Sequence, residues 1–315
     1  MKRSRKIVVR GGIMGALLLG AVWTATDYFY RLAIDATTSK KIVSNGNAVV
    51  LTVKRDAFDY KKWMVTKSGM RNVYTTSWDG LRLHRYEIRN KAEGNRYAIL
   101  IHGYDSNGIS MAEQAKYFYD LGYHVIVPEL RGHGGSEGTY IGMGWHDRLD
   151  VLQIVEEIVS REKEAKIVLY GISMGAATVL MASGEPLPSN VVAVIEDCGY
   201  TSAWEEFEYQ LHHLFSLPAV PLLYTTDWMT RHRAGYGFSE ASAIAQVRKS
   251  VTPTLFIHGT EDTFVPFSML GRLYEACNAP KEKFVVEGAG HAQSMEKHPE
   301  AYKEELGRFL RKYGR

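Results

Sequence analysis

The chain has 315 residues, 45% of them hydrophobic, with 38 basic side chains, 35 acidic side chains and two cysteines. That length and apolar content can fill a large core, which excludes a disordered chain, and two cysteines exclude a disulfide framework. Lys2, Arg3, Arg5, Lys6 and Arg10 supply five of the basic charges; the other 33 face 35 acids, which leaves no basic field for nucleic acid.

Residues 1–10 read as a basic cytoplasmic tail. Gly11 to Thr26 is an uncharged, largely apolar run that ends at Asp27 and is followed by Tyr28-Phe29-Tyr30. A spanning helix needs about 20 residues, and aromatics at the interface extend a run that is otherwise short. The expectation is a signal-anchor over residues 11–30 that makes the lipid bilayer a partner. It predicts a single-pass protein of the cell membrane, with the basic flank inside and the catalytic part extracytoplasmic. A cleaved signal peptide and an amphipathic surface helix are the alternatives. No Ala-x-Ala site follows the run, and Leu17-Leu18-Leu19 has no polar face. Residues 31–70, with Lys40-Lys41 and Lys61-Lys62 among apolar positions, read as a stalk.

From residue 71 the pattern turns to strands. Val73–Trp78 and Leu81–Ile88 flank Asp79-Gly80, a hairpin signal. Strands at Tyr97–Ile101, His124–Pro128, Lys166–Tyr170 and Val191–Glu196 alternate with helices near Met111–Leu121 and His146–Ser160. This alternation predicts an α/β fold, a mostly parallel sheet covered by helices. Between Cys198 and Val251 the strand rhythm lapses into two helical runs, Ala203–Phe215 and Leu222–His232, separated by Pro218 and Pro221. Strands resume at Thr252–His258 and Lys283–Glu287. Whether Cys198 and Cys277 pair is open, since a bridge needs Cα atoms within about 7 Å.

Gly171-Ile172-Ser173-Met174-Gly175 lies between a β-prone run and a helical one, the layout of a nucleophile elbow. A serine hydroxyl needs a base within hydrogen-bond reach and a third group to orient that base. Downstream, in the required chain order, Glu261 and Asp262 follow one presumed strand and His291 follows another. Ser173 would attack an acyl carbonyl, His291 would move the proton, and an acid would hold the imidazole. The backbone N–H groups of Met174 and Tyr104 are candidates for the oxyanion hole. His102 reads as a residue that fixes its loop. His212-His213 and His232 have no third ligand at metal-site spacing, and Arg131–Ser136 is not a phosphate fingerprint. No metal and no cofactor are expected.

The segments Ile101-His-Gly-Tyr104, Glu129-Leu-Arg-Gly-His-Gly-Gly-Ser136, Gly171–Gly175, Glu196-Asp-Cys-Gly-Tyr-Thr-Ser202, His258-Gly-Thr-Glu-Asp262 and Gly290-His291 appear in order. As a set they resemble the α/β-hydrolase superfamily, over roughly residues 70 to 315. The resemblance is to its serine hydrolases: prolyl-aminopeptidase-like peptidases, lysophospholipase-like esterases and membrane-anchored bacterial α/β-hydrolases. It implies an α/β-hydrolase catalytic domain over 71–315, with helices on both faces and a small helical cap insertion at about 203–245. It also places the acid at Asp262 rather than Glu261. Glu129 departs from the Asp that many relatives carry, at a position thought structural.

The function implied is cleavage of an ester, thioester or amide in a small acyl substrate or peptide, through an acyl-enzyme on Ser173. Trp204, Phe207, Leu211, Leu214, Phe215, Leu222, Leu223 and Trp228 are candidate cap or pocket residues. One alternative is a prolyl-aminopeptidase-like peptidase, with Glu205, Glu206 and Glu208 available to hold the α-ammonium. Another is a catalytically silent surface binding protein on a hydrolase fold.

Overall fold

A computed structural model describes residues 2–38, 59–92 and 94–314, with side chains from residue 14 onward. Eight strands form one sheet: β1 Arg71–Thr76, β2 Arg82–Ile88, β3 Arg96–Ile101, β4 His124–Pro128, β5 Lys166–Ile172, β6 Val191–Asp197, β7 Thr254–Gly259 and β8 Lys281–Val286. Their order is β1-β2-β4-β3-β5-β6-β7-β8. β2 runs antiparallel to β1 and β4, and every other pairing is parallel. β4 and β7 are buried along their whole length, as expected of strands with helices on both sides.

The helices are α1 Lys2–Ala33, α2 Tyr60–Thr66, α3 Ala112–Asp120, α4 Asp147–Arg161, α5 Met174–Ser183, α6 Ala203–Phe215, α7 Leu222–Ala234, α8 Ala243–Val247, α9 Ser268–Ala276, α10 Ser294–Lys297 and α11 Pro299–Tyr313. Side chains alternate across a strand, so each strand feeds two cores. Ala98, Leu100, Val168 and Tyr170 pack with Phe118 of α3 and Leu306 and Phe309 of α11. Ile99, Ile101, Ile167 and Leu169 pack with Val151 of α4, Leu180 of α5 and Leu270 of α9. All ten residues of α5 are buried, so the turn that opens it is held from every side. Cys198 and Cys277 are free, buried thiols.

The N-terminus corrects the sequence reading. Residues 2–33 form a single helix, and among the described residues no helix is long and apolar enough to cross a membrane. The expected signal-anchor over 11–30 is therefore overturned, and with it the single-pass, extracytoplasmic placement. The physical reason lies in the inner end of α1, which is committed to protein. Thr26 Oγ1 donates to Thr225 Oγ1 of α7 at 2.6 Å. Asp27 pairs with both Arg31 and Arg233 at 2.7 Å. Trp23 meets Trp228 edge to face. Tyr30, Leu32 and Ile34 are buried. The chain then joins the body: Ile141 N–H donates to the Ile34 carbonyl at 2.8 Å, and Ala36 N–H to the Thr139 carbonyl at 3.0 Å. Residues 39–58 of the expected stalk lie outside the described residues. Trp63 and Met64 of α2 are buried in the α3 side of the core.

Candidate active site

The turn from β5 into α5 is built by exclusion. A Cβ on Gly171 would collide with the Gly175 carbonyl, and one on Gly175 with the Ile101 carbonyl. Only glycine permits that approach. Ser173 between them has φ 58° and ψ −120°, a sparsely populated conformation for a side-chain-bearing residue. Its N–H donates to the Asp197 carbonyl at 2.8 Å, which ties the turn to the end of β6.

The loops after β7 and β8 bring the other two candidates to this serine. His291 Nε2 lies 2.8 Å from Ser173 Oγ, and His291 Nδ1 lies 2.8 Å from Asp262 Oδ2. Phe264 N–H and Val265 N–H each donate to Asp262 Oδ1 at 2.9 Å. The sequence reading missed a further partner. His258 Nε2 is 3.2 Å from Asp262 Oδ2 and 3.0 Å from the Val265 carbonyl. Burial alone would raise the Asp262 carboxyl, but the bonds from His258 and His291 hold it down at about 2. Asp262 is thus an anion between two imidazoles. Its neighbour Glu261 is exposed. The ligand atoms of Cys198, Asp262 and His291 lie within 4.8 Å of one another. However, burial pushes the Cys198 thiol well up, and the other two residues are bonded to each other, so the trio does not fit a metal site.

The loop after β3 runs beside Ser173. A Cβ on Gly103 would sit 3.3 Å from the Ser173 Cβ. Tyr104 and Met174 both line the cavity onto which Ser173 opens. Burial, with His133 nearby, pushes His102 down to about 3, so the ring is neutral. Leu130 N–H donates to its Nε2 at 3.1 Å, which leaves Nδ1–H to donate to the Gly103 carbonyl at 2.8 Å. His102 therefore fixes the loop. The Tyr104 hydroxyl donates to the carbonyls of Leu32 and Ala33, fastening the end of α1 to the same loop. Glu129, the departure from the family pattern, accepts from Gly108 N–H and Gly135 N–H and bonds His84 Nδ1 at 2.9 Å. It organises the glycine-rich turn without touching the serine.

The cavity is walled mostly by carbon. Of the candidate cap or pocket residues, Phe207, Leu211, Leu214, Phe215, Leu222 and Leu223 line it. Trp204 and Trp228 do not: Trp204 packs on Tyr224 and Trp228 on His232. Phe29, Leu32 and Ala33 of α1 complete the wall. Sequence reasoning missed them because Tyr28-Phe29-Tyr30 was assigned to a bilayer interface and residues 31–70, with Leu32 and Ala33, to a stalk. Of the three glutamates considered for an α-ammonium, only Glu206 faces the cavity. Glu205 is bound to Arg272 at 2.8 Å, and Glu208 is exposed. His212 and His213 stand on α6 and His232 on α7.

A family model described as the alpha/beta hydrolase family matches residues 98–305. The chain belongs to the alpha/beta hydrolase family. Membership places it among hydrolases, and the eight-stranded sheet agrees. Among its relatives is YqkD of Bacillus subtilis, an uncharacterized protein 26% identical over 310 residues, 97% of each chain. YfhR of Escherichia coli K12, also uncharacterized, is 24% identical over 247 residues, 76% of this chain and 80% of that one. Among solved structures, the Pyrococcus furiosus esterase Pf2001 superposes with a TM-score of 0.64 at 23% identity, covering 78% of this chain and 93% of that one. Acetyl xylan esterase 1 from Thermoanaerobacterium gives 0.57 at 21% identity, covering 75% and 83%. At these identities the two structures speak to the fold alone.

Proposed function

We propose that the protein is a serine hydrolase that cleaves carboxylic esters with an apolar acyl group through an acyl-enzyme on Ser173. The observation that carries this is the unbroken bond path Ser173 Oγ–His291–Asp262 at the floor of a carbon-walled cavity. Ser173 Oγ attacks the substrate carbonyl carbon as its proton passes to His291 Nε2. The C–O bond to the leaving alcohol then breaks, and His291 returns the proton to that oxygen. Water repeats the sequence on the acyl-enzyme. Asp262 keeps His291 Nδ1 protonated and balances the imidazolium. The N–H groups of Met174 and Tyr104 take the oxyanion role; each such donor is worth about 2.7–4 kcal/mol in the transition state. Thioesters and amides are accessible to the same chemistry. An ester is favoured over an aminoacyl substrate because burial pushes Glu206, the one of the three glutamates that lines the cavity, up to about 8, so that it is mostly protonated near neutral pH.

Labelling the full chain with a fluorophosphonate tests this reading. The wild type is expected to label and Ser173→Ala to lose labelling, with kcat on p-nitrophenyl esters falling on the order of 10⁶-fold. A mutant that labels and turns over like the wild type sinks the mechanism.

A further inference from the structure

Three of the residues that line the cavity each carry a buried polar atom. Glu206 Oε2, Gln210 Oε1 and Thr226 Oγ1 are each buried and have no hydrogen-bond partner within the protein. All three residues line the same cavity as Ser173. Glu206 and Thr226 are 3% and 4% exposed, so solvent at the surface does not serve them. A buried polar atom left unpaired is destabilising, and a ligand that pairs it removes that cost.

Glu206 and Gln210 are held in orientation by their hydrogen bonds. Gln210 Nε2 donates to Glu206 Oε1 at 2.9 Å and to the Phe264 carbonyl at 2.7 Å. Both amide hydrogens are thereby used, and Gln210 Oε1 is left as a free acceptor. The same bond holds Glu206 with Oε2 free. Burial is the main cause that keeps this carboxyl protonated near neutral pH, and the Asp262 charge adds to it. Glu206 therefore offers an O–H donor beside the Gln210 acceptor, with the Thr226 hydroxyl able to do either. A donor beside an acceptor complements a hydroxyl, which is both. It does not complement an ammonium, which needs an anion.

We propose that Glu206, Gln210 and Thr226 form a specificity subsite that recognises a hydroxyl on an otherwise aliphatic chain of the ester substrate. This rests on the serine-hydrolase reading above and narrows it to hydroxylated aliphatic esters. The hydroxyl is carried either by the acyl half or by the alcohol half.

The test compares kcat/KM for matched esters with the full chain. The acyl arm sets p-nitrophenyl octanoate against its 3-, 6- and 8-hydroxy derivatives. The alcohol arm sets octyl acetate against monoacetates of octanediols. The wild type is expected to favour a hydroxylated member over its parent by about 10-fold or more in one arm, which also identifies the half that carries the hydroxyl. Glu206→Leu should bring that ratio to about 1, Thr226→Val should lower it, and Glu206→Gln should keep most of it. The proposal is overturned if no hydroxylated ester is preferred, or if the preference survives in Glu206→Leu and Thr226→Val. It is also overturned if aminoacyl esters are preferred, increasingly so above pH 8. Fluorophosphonate labelling separates the failures. A wild type that labels but shows no selectivity loses the subsite and keeps the hydrolase; one that neither labels nor turns over loses both.

Discussion

Deleting residues 2–22 removes part of α1 and deleting residues 2–36 removes all of it, and the two should give opposite results. Among the residues that the shorter deletion removes, Met14, Leu17, Leu18 and Leu19 are 63–74% exposed. The longer one removes Tyr30, Leu32 and Ile34, which are at most 7% exposed. Burying a side chain of that size is worth about 1.5–3 kcal/mol, so the three together supply about 5–9 kcal/mol as an upper estimate. The bonds to Thr139 and Ile141 add about 0.5–1.5 kcal/mol each. A domain is typically stable by only about 5–15 kcal/mol. The longer deletion should therefore remove most of that stability, and with Phe29 and Leu32 it removes part of the cavity wall. Urea unfolding followed by tryptophan fluorescence measures the first effect and the fluorophosphonate labelling rate the second. Deletion of 2–22 is expected to leave both near wild type. Ile34→Ala, which keeps the chain length, should cost about 2–5 kcal/mol. A 2–36 deletion with a wild-type midpoint and labelling rate would refute the assignment of α1 to the body.

Asp262→Asn keeps an acceptor for Phe264 N–H and Val265 N–H but turns an amide toward His291 Nδ1. The ring must then carry its proton on Nε2, facing the serine, and kcat should fall about 10⁴-fold; a loss under tenfold in steady-state turnover would remove Asp262 from the mechanism. Glu196 is fully buried, accepts from Gly199 N–H through Oε2, leaves Oε1 unpaired, and is pushed up to about 8 by burial. A raised carboxyl pKa means the native state holds its proton more tightly than the unfolded chain. The resulting stability is fully present below about pH 4.5 and is lost as pH rises through 8, at most about 5 kcal/mol. Glu196→Gln does not titrate, so its urea midpoint relative to wild type should rise between pH 5 and pH 9; parallel midpoints across that range would contradict the assignment.

The parts that were legible from sequence share one property: they are encoded locally. Gly171 and Gly175 declare a turn that admits no Cβ, and the strands before Ser173, Asp262 and His291 fix where each side chain emerges. The aromatics of 203–223 announced a wall. What was hidden depends on partners far along the chain. Asp27 looked like the end of a membrane run, because its partner Arg233 lies 206 residues away. Hydropathy scores a helix without knowing what covers it, so Phe29 was placed at a lipid interface and Leu32 in a stalk rather than in the cavity wall. Glu206 looked like one of three surface acids, since only the rotation of α6 about its axis separates it from Glu205 and Glu208. His258 was visible as part of a motif, but its bond to Asp262 required the loop after β7 to curl back on its own strand.

The backbone at Ser173 sets a conflict between folding and reactivity. Its φ of 58° suits glycine and costs a side-chain-bearing residue about 1–3 kcal/mol. Alanine there inherits the same penalty, so silencing the hydroxyl does not relax the turn. Glycine would relax it. The residue that this bend would hold most comfortably is one without a side chain, and the protein carries a standing thermodynamic load at this position to keep a hydroxyl at the tip of the turn.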